Sequence, residues 1–439
     1  MRKLLCIVLV GLTALTFVAA QPKVSEKQEV AIFAMGYYGY TIPQEALATI
    51  DVEIQKVFLD LGRFTVIGMD KRFSASAVNE FITLMKKVKQ ENFVLPEKYQ
   101  FGEAILTEAD FNKLIGAFII AIPVVTSYNS QFNSKENQWE TDIKTTVTFI
   151  DAATGNMIGI ADVETSGRSK ETQFKSVKSA IDGIPGILQF EIRKIPQFQN
   201  QTKVISAKFG SLTMLLGQNM GVKKGDEYAI IVSENIEGYE NEREVGLVKI
   251  KDVGTTSSEA VVLYSDIKVE KNTQLREIPR IGSEGSLYVH LMNLDDLSTN
   301  DNALAVGLKL TATRGYFGFM PYGFAQALFD TAKGVPIGFG FGGEFAMYLG
   351  RMEIGARAAL AGSSCVLITF LQEEYKETDN TYFTHYGISA GAYVSWLLNR
   401  DMKIFVDAQY DYMIGWVTQG YEWFRNYSGL SIGAGVTFK

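Results

Sequence analysis

The last third of the chain alternates. In "PIGFGFGGEFAMYLG" (336–350), Ile337, Phe339, Phe341, Phe345 and Met347 fall on one parity, and Gly338, Gly340, Gly342 and Glu344 on the other. A strand sends successive side chains to opposite faces, so this stretch predicts a greasy face and a small face carrying one carboxylate. The pattern repeats. Leu304, Val306, Leu308 and Leu310 oppose Ala305, Gly307, Lys309 and Thr311; Met352 and Ile354 oppose Glu353, Gly355 and Arg357. Tyr386, Ile388, Val394 and Trp396 oppose Gly387, Ser389, Gly391 and Tyr393; Ile404, Val406, Tyr410 and Tyr412 oppose Lys403, Asp407, Gln409 and Asp411. "GLSIGAGVTFK" closes the series, and the less regular "GYFGFMPYGFAQAL" and "WVTQGYEWF" bring the count to about eight.

Strands this long exceed the usual five to six residues of globular sheets. Eight is the smallest strand number of closed outer-membrane barrels, whose spanning strands need about 9–11 residues. Connections are uneven: "LGRME" and "LNRDM" are tight turns, whereas "SSCVLITFLQEEYKETDNTYF" is a long excursion. Residues 283–439 are therefore predicted to form an antiparallel eight-stranded transmembrane β-barrel. Ile337, Phe339, Phe341, Phe345 and Met347 would face lipid. Tyr382, Tyr386, Trp396, Tyr410, Tyr412, Trp416, Tyr421 and Trp423 would form an aromatic girdle. Lys309, Arg357 and Lys403 would face Glu344, Glu353, Asp407 and Asp411 in the lumen, because a dry lumen penalises lone ions. Small barrels are filled by side chains, so a structural charge network is preferred over a pore. Glu344 is expected to point inward, to Arg357 or Lys309.

The chain before the barrel has other rhythms. "EVAIFAM" (29–35), "RFTVIGM" (63–69) and "GAFIIAIPVVTSYN" (116–129) read as strands, the last followed by a polar loop. Leu47, Ile50, Ile54, Val57, Phe58 and Leu61 have helical spacing between Pro43 and Gly62, and a second helix is expected at 74–90. "TDIKTTVTFIDAATGNMIGIADVETSG" (141–167) reads as a hairpin around "AATG", and 170–195 as helices broken near Gly183 and Pro185. Residues 21–198 are thus expected to form an α/β domain. Residues 199–282 hold short strands punctuated by Gly221, Gly225, Asp226 and Gly254, the signature of a small all-β module, barrel or sandwich.

The first residues fix the expected compartment. Arg2 and Lys3 precede an apolar run from Leu4 to Val18, and Val18 and Ala20 suit a cut before Gln21. That reads as a secretory signal peptide over 1–20. The soluble domains would then be periplasmic. Cys6 lies in that segment, so Cys365 is left alone and is expected to be an ordinary apolar residue. A net charge of −7 argues against nucleic acid as a partner. His290 and His385 are the only histidines, which leaves no basis for a metal or triad site. "GFGFGG" (338–343) lacks the Lys-Ser/Thr of a phosphate loop, and Asp295, Asp296 and Asp301 are expected to lie in a solvated turn. No catalytic residue, cofactor or metal is expected.

Three resemblances add to this. "GLSIGAGVTFK" resembles the C-terminal targeting strand of bacterial outer-membrane barrels, although Lys439 follows Phe438 where an aromatic usually ends the chain. Leu61, Gly62, Arg63, Phe64, Val66 and Ile67 look like the strand–helix–strand of the curli-secretion lipoprotein and related periplasmic domains. Gly221, Val222, Lys223, Gly225, Asp226, Tyr228 and Ile230, with Val245, Gly246, Leu247, Val248 and Ile250, are similar to the small β-domain of the flagellar assembly T protein family. These resemblances imply envelope assembly and no catalysis. The expectation is a multidomain, non-enzymatic outer-membrane protein that anchors a periplasmic assembly or binding domain. Lipid and periplasmic envelope proteins are the expected partners, and an oligomer is left open. A soluble periplasmic scaffold of a secretion or flagellar-type assembly, and a transport or secretion pore, are the alternatives.

Overall fold

The computed structural model describes residues 23–39, 41–67, 79–83, 98–101, 104–107, 119–236, 239–296, 299–330, 337–364, 385–415 and 427–439. The expected signal peptide, Cys365, most of the helix expected at 74–90, the strand expected at 416–424 and the girdle residues Tyr382, Trp416, Tyr421 and Trp423 lie outside them.

A mixed sheet comes first. Strands β1 (Gln28–Ile32), β2 (Gly36–Tyr37), β3 (Phe64–Ile67), β6 (Ile119–Asn133), β7 (Gln138–Asp151) and β8 (Met157–Ser169) run in the order β3-β1-β6-β7-β8, with β2 beside β6. The β1 strand is parallel to both β3 and β6, and β6, β7 and β8 follow as antiparallel neighbours. A separate hairpin joins β4 (Lys98–Phe101) to β5 (Ala104–Thr107). Helix α1 (Gln44–Asp60) links β2 to β3 and buries Ala46, Ile50, Ile54, Val57 and Phe58, the stripe that its spacing dictates. Helices α2 (Gln173–Asp182) and α3 (Ile184–Lys194) meet at Gly183, with Thr172 capping the first through the Lys175 N–H. All three helices pack into one core with the sheet. The polar stretch after Asn129 is not a loop: β6 continues to Asn133 and β7 begins at Gln138, giving a long ribbon. Its polar side chains alternate against solvent, which erased the hydrophobic signal of a strand.

Six strands form a small closed barrel: β9 (Gln201–Lys208), β10 (Ser211–Leu215), β11 (Glu227–Ile236), β12 (Tyr239–Val253), β13 (Ser257–Ser265) and β14 (Gln274–Ile278), in the order β10-β13-β12-β11-β14-β9. "TKVISAKFGSLTMLLG" is thus a hairpin, turning at Phe209 and Gly210. Val204, Met214, Tyr228, Ile230, Val248 and Ile250 fill the interior.

Eight strands form the second closed barrel: β15 (Ser283–Asp296), β16 (Thr299–Ala312), β17 (Phe319–Asp330), β18 (Ile337–Leu349), β19 (Met352–Ser364), β20 (His385–Asn399), β21 (Met402–Gly415) and β22 (Tyr427–Phe438). Each pairs antiparallel with its sequence neighbours, and β15 closes on β22. The count of eight matches the expectation, but its composition does not. The eighth strand is β15, which the alternation did not single out.

The mixed sheet and the small barrel are joined by charge. Arg63, just before β3, reaches Glu277 of β14 with two bonds of 2.7 and 3.2 Å. Arg193 of α3 reaches the same carboxylate at 2.6 Å and Asp226 at 3.3 Å. Arg314, in the turn between β16 and β17, donates to Asp226 at 2.9 Å. One cluster therefore ties all three units. Gly62 and Gly221 meet back to back beside it, both at positive φ; a methyl at Gly62 would lie 2.6 Å from the Gly221 nitrogen. Gly62 and Arg63 on one side and Gly221 and Asp226 on the other therefore form this junction.

Burial pushes the Glu277 carboxyl up, but the Arg63 and Arg193 guanidiniums outweigh it and hold it well below the usual carboxylate range. Burial likewise disfavours the Arg193 cation, and Glu277 and Asp226 more than restore it. The group is depressed, so its stabilisation is complete above the ordinary value near 4.5 and is lost as pH falls from there through the folded-state value. Glu277→Gln leaves Arg63 buried without a carboxylate and Arg193 with Asp226 alone, and should cost roughly 3–5 kcal/mol in urea unfolding at neutral pH. The gap between variant and unsubstituted chain should narrow on acidification below the ordinary carboxylate range; an unchanging gap would contradict the assignment.

Candidate functional site: a stoppered, charge-filled barrel

The strand period sorts every barrel side chain into two populations. Outside are Leu287, Val289 and Leu291 of β15, Leu308 and Leu310 of β16, Phe319 and Phe329 of β17, and Phe341, Phe345, Met347 and Leu349 of β18. The exterior continues through Leu360, Ile388, Val394, Trp396, Ile404, Val406, Leu430, Ile432 and Phe438, so all eight strands contribute exposed apolar residues. Ile337 and Phe339 share this parity and are half-buried. Tyr386, Tyr410 and Tyr412 are also exposed.

Inside lie the seven charges singled out from the sequence. Lys309, Glu344, Glu353, Arg357, Lys403, Asp407 and Asp411 are all buried, none more than 9% exposed. Lys309 donates to Glu344 at 2.7 Å, with the rings of Tyr322, Tyr393 and Phe405 each within 6 Å of its ammonium. Glu344 sits opposite Arg357 in the β18–β19 register, yet its partner is Lys309. Arg357 instead pairs with Asp407 and donates to Gln409 at 3.0 Å. Asp407 also meets His290 Nε2 at 3.1 Å. Lys403 bridges Glu284 at 2.7 Å and Glu353 at 3.0 Å, and Tyr393 donates to Glu353 at 2.8 Å. Asp411 accepts from Ser431 at 2.9 Å.

Inward glycines make room for this network. Gly307 opens the slot in which the Tyr288 ring lies, and Gly433 the one for His290. In β18, Gly338 lies against Gln326 and Gly340 against Phe324. The cavity left among Glu284, Lys309, Glu344, Glu353, Arg357 and Lys403 measures about 20 Å³, enough for a single water.

One end of the barrel is stoppered by the six-stranded module. Lys249 of β12 is buried and donates to Tyr348 at 3.0 Å. Lys439 pairs with Glu227 of β11, which Arg280 also reaches at 3.1 Å. Burial pushes the Glu227 carboxyl up, and Lys439 and Arg280 more than reverse it. Around this centre Arg280 pairs with Asp401 at 2.6 Å, Arg400 with Glu244 at 2.7 Å, and Arg351 lies 3.9 Å from the Tyr264 ring. Leu397 of β20 packs with Ala229, Ile231, Leu247, Leu263 and Ile278 on the outer face of the module. Sequence reasoning missed Glu284, Lys249, Glu227 and Arg280. Only Lys439 carried a signal, as a charge where an aromatic was expected.

Among the described residues no group of three or more His, Cys, Asp or Glu is arranged to hold a metal. No described helix is long and apolar enough to cross a membrane, which leaves the barrel strands unaddressed.

Removing one member of a buried pair strands the other, whereas replacing both with apolar groups is often neutral. Lys309→Met alone should therefore lower the temperature at which the barrel unfolds in detergent, and Lys309→Met with Glu344→Leu should recover most of the loss. The measurement is the heat-dependent shift in gel mobility. A double variant as unstable as the single one would argue against a closed pair.

No family model matches the chain, and no curated protein does. Solved structures give partial likenesses. Neisserial surface protein A is 14% identical with a TM-score of 0.27, covering 36% of this chain and 97% of that one. The protein CT253 of Chlamydia trachomatis is 14% identical with a TM-score of 0.24, covering 37% and 88%. The lipoprotein GNA1162 of Neisseria meningitidis is 13% identical with a TM-score of 0.20, covering 33% and 86%. All three scores fall far below one half, so these likenesses decide neither kinship nor function.

Proposed function

We propose that the chain is a non-enzymatic outer-membrane anchor whose eight-stranded barrel fixes the mixed sheet and the small barrel at the periplasmic face. The observation that carries this reading is the barrel's inversion. Its exterior is apolar on all eight strands, and its interior is charged and paired. A soluble protein of this size has no reason to present Leu291, Leu310, Phe341 and Ile432 to water, each at least 60% exposed, on one continuous wall. Lipid is the solvent that suits such a wall, and closed sheets leave no strand edge unpaired within it.

A soluble scaffold is disfavoured by that same wall. A pore is disfavoured by the Lys309–Glu344 and Lys403–Glu284–Glu353 pairs across the lumen and by the module seated on its end. The reading names lipid as one partner. The mixed sheet, with the polar ribbon at the far end of β6 and β7, is the part available to periplasmic envelope proteins.

Membranes from cells producing the full chain should retain it through high-salt and alkaline washes, and the unboiled protein should migrate differently from the boiled one. Recovery in the soluble fraction would sink the anchor reading. Planar bilayers holding the purified protein should show no stable conductance steps, and regular steps would favour the pore.

A further inference from the structure

The fully exposed Phe209 lies outside everything described so far. It occupies the tip of the β9–β10 hairpin between Lys208 and Gly210, with a relative exposure of 107%. An aromatic ring held wholly in water at a hairpin tip contributes nothing to the six-stranded core, whose residues on β10 are Leu212 and Met214. The turn itself needs Gly210 at φ +72 and does not need Phe209.

Its position gives the ring a use. The Gly210 carbonyl accepts from the Val262 N–H at 3.0 Å, so the tip lies one strand spacing, roughly 5 Å, from β13. The next residue of β13, Leu263, packs with Leu397 of the large barrel, and a methyl on Gly350, in the β18–β19 turn, would lie 3.7 Å from the Leu263 carbonyl. Gly350 directly follows Leu349, the last exposed apolar residue of β18, and Leu397 precedes Leu398, exposed near the end of β20. The tip therefore sits beside the rim where the apolar belt ends. Val261 and Leu263 belong to the outer face of the module that packs against Leu397 of the barrel, and Ser211, the residue after the tip, pairs with Val261. Ile281, just before β15, and Tyr316, in the β16–β17 turn, add exposed apolar groups at the same end.

We infer that the Lys208–Phe209–Gly210 tip is a second membrane contact, a wedge that seats Phe209 among the phospholipid headgroups around the barrel rim. The inference rests on the barrel lying in a bilayer. The occupant is lipid because the tip is next to β13, which meets the barrel at Leu397 and Gly350, where the apolar belt ends. A single aromatic with an exposed lysine also matches what the interface accepts: the ring lies at the boundary and the ammonium reaches the phosphates. The contact would fix the tilt of the module against the membrane plane, which the barrel alone leaves to the belt.

The test uses the chain with Cys6→Ser and Cys365→Ser, so that no native thiol remains, reconstituted into phosphatidylcholine–phosphatidylglycerol vesicles with the soluble part outward. An environment-sensitive fluorophore is placed at Phe209→Cys, at Leu308→Cys on the barrel wall, or at Met157→Cys on the mixed sheet. Spin-labelled lipids then quench from known depths. The probe at 308 should be quenched by labels deep in the acyl region, the probe at 209 by labels within roughly 5–10 Å of the headgroups, and the probe at 157 by neither. Quenching at 308 without quenching at 209 overturns the wedge and leaves the anchor standing. Quenching at neither position overturns both. A label-free measurement guards against perturbation by the probe. Trypsin should cut after Lys208 slowly in the vesicle-bound chain, and Phe209→Ser should raise that cleavage to the rate which the same variant shows in detergent. Equal rates for the two chains in vesicles would count against the wedge.

Discussion

A charge removed from water must meet its opposite, and this molecule is arranged around that demand. Within the eight strands, Lys309, Arg357 and Lys403 face the carboxylates of Glu284, Glu344, Glu353, Asp407 and Asp411. That interior is short of cations. Lys249 and Lys439 enter at the floor, the first on a strand of the other barrel and the second against its Glu227. Charges of the two barrels thus meet across a domain boundary. The two barrels are one electrostatic object.

The same demand explains the second junction. Glu277 is surrounded by Arg63 and Arg193, Asp226 by Arg193 and Arg314, and a backbone N–H from Asn200 completes the Glu277 shell. The pairs bridge elements far apart in sequence, so the network specifies how the units sit on one another. Hydrophobic contact alone would tolerate several arrangements, whereas a bidentate guanidinium tolerates few.

How much of this was legible depended on whether the cause was local. The period of two in β16, β18, β20 and β21 is written residue by residue, because each outward position meets one solvent and each inward position another. The parity of Lys309, Glu344, Arg357 and Asp407 followed from that alone. Which cation meets which carboxylate did not follow: Lys309 and the register neighbour Arg357 were equally open as partners of Glu344, and the one chosen lies two strands away. Strand β15 escaped because Tyr288 and Met292, both large, face inward and blur the contrast with Leu287, Val289 and Leu291. The β6–β7 ribbon escaped for the opposite reason, since its far half is polar on both faces. Lys249 sits in a run of hydrophobic β12 residues, and nothing local announces that it enters another barrel.

Only residues 279–282 connect β14 to β15, yet the junction holds through Arg280, Arg314, Arg351 and Arg400 as well. Mechanically this is a joint with no hinge. A force applied at the tip of the β6–β7 ribbon, where Phe132 and Trp139 lock edge to face, passes through Arg193 and Arg314 into the barrel wall. The distance from the ribbon tip to the barrel rim is therefore set by side-chain pairs and not by the length of a linker.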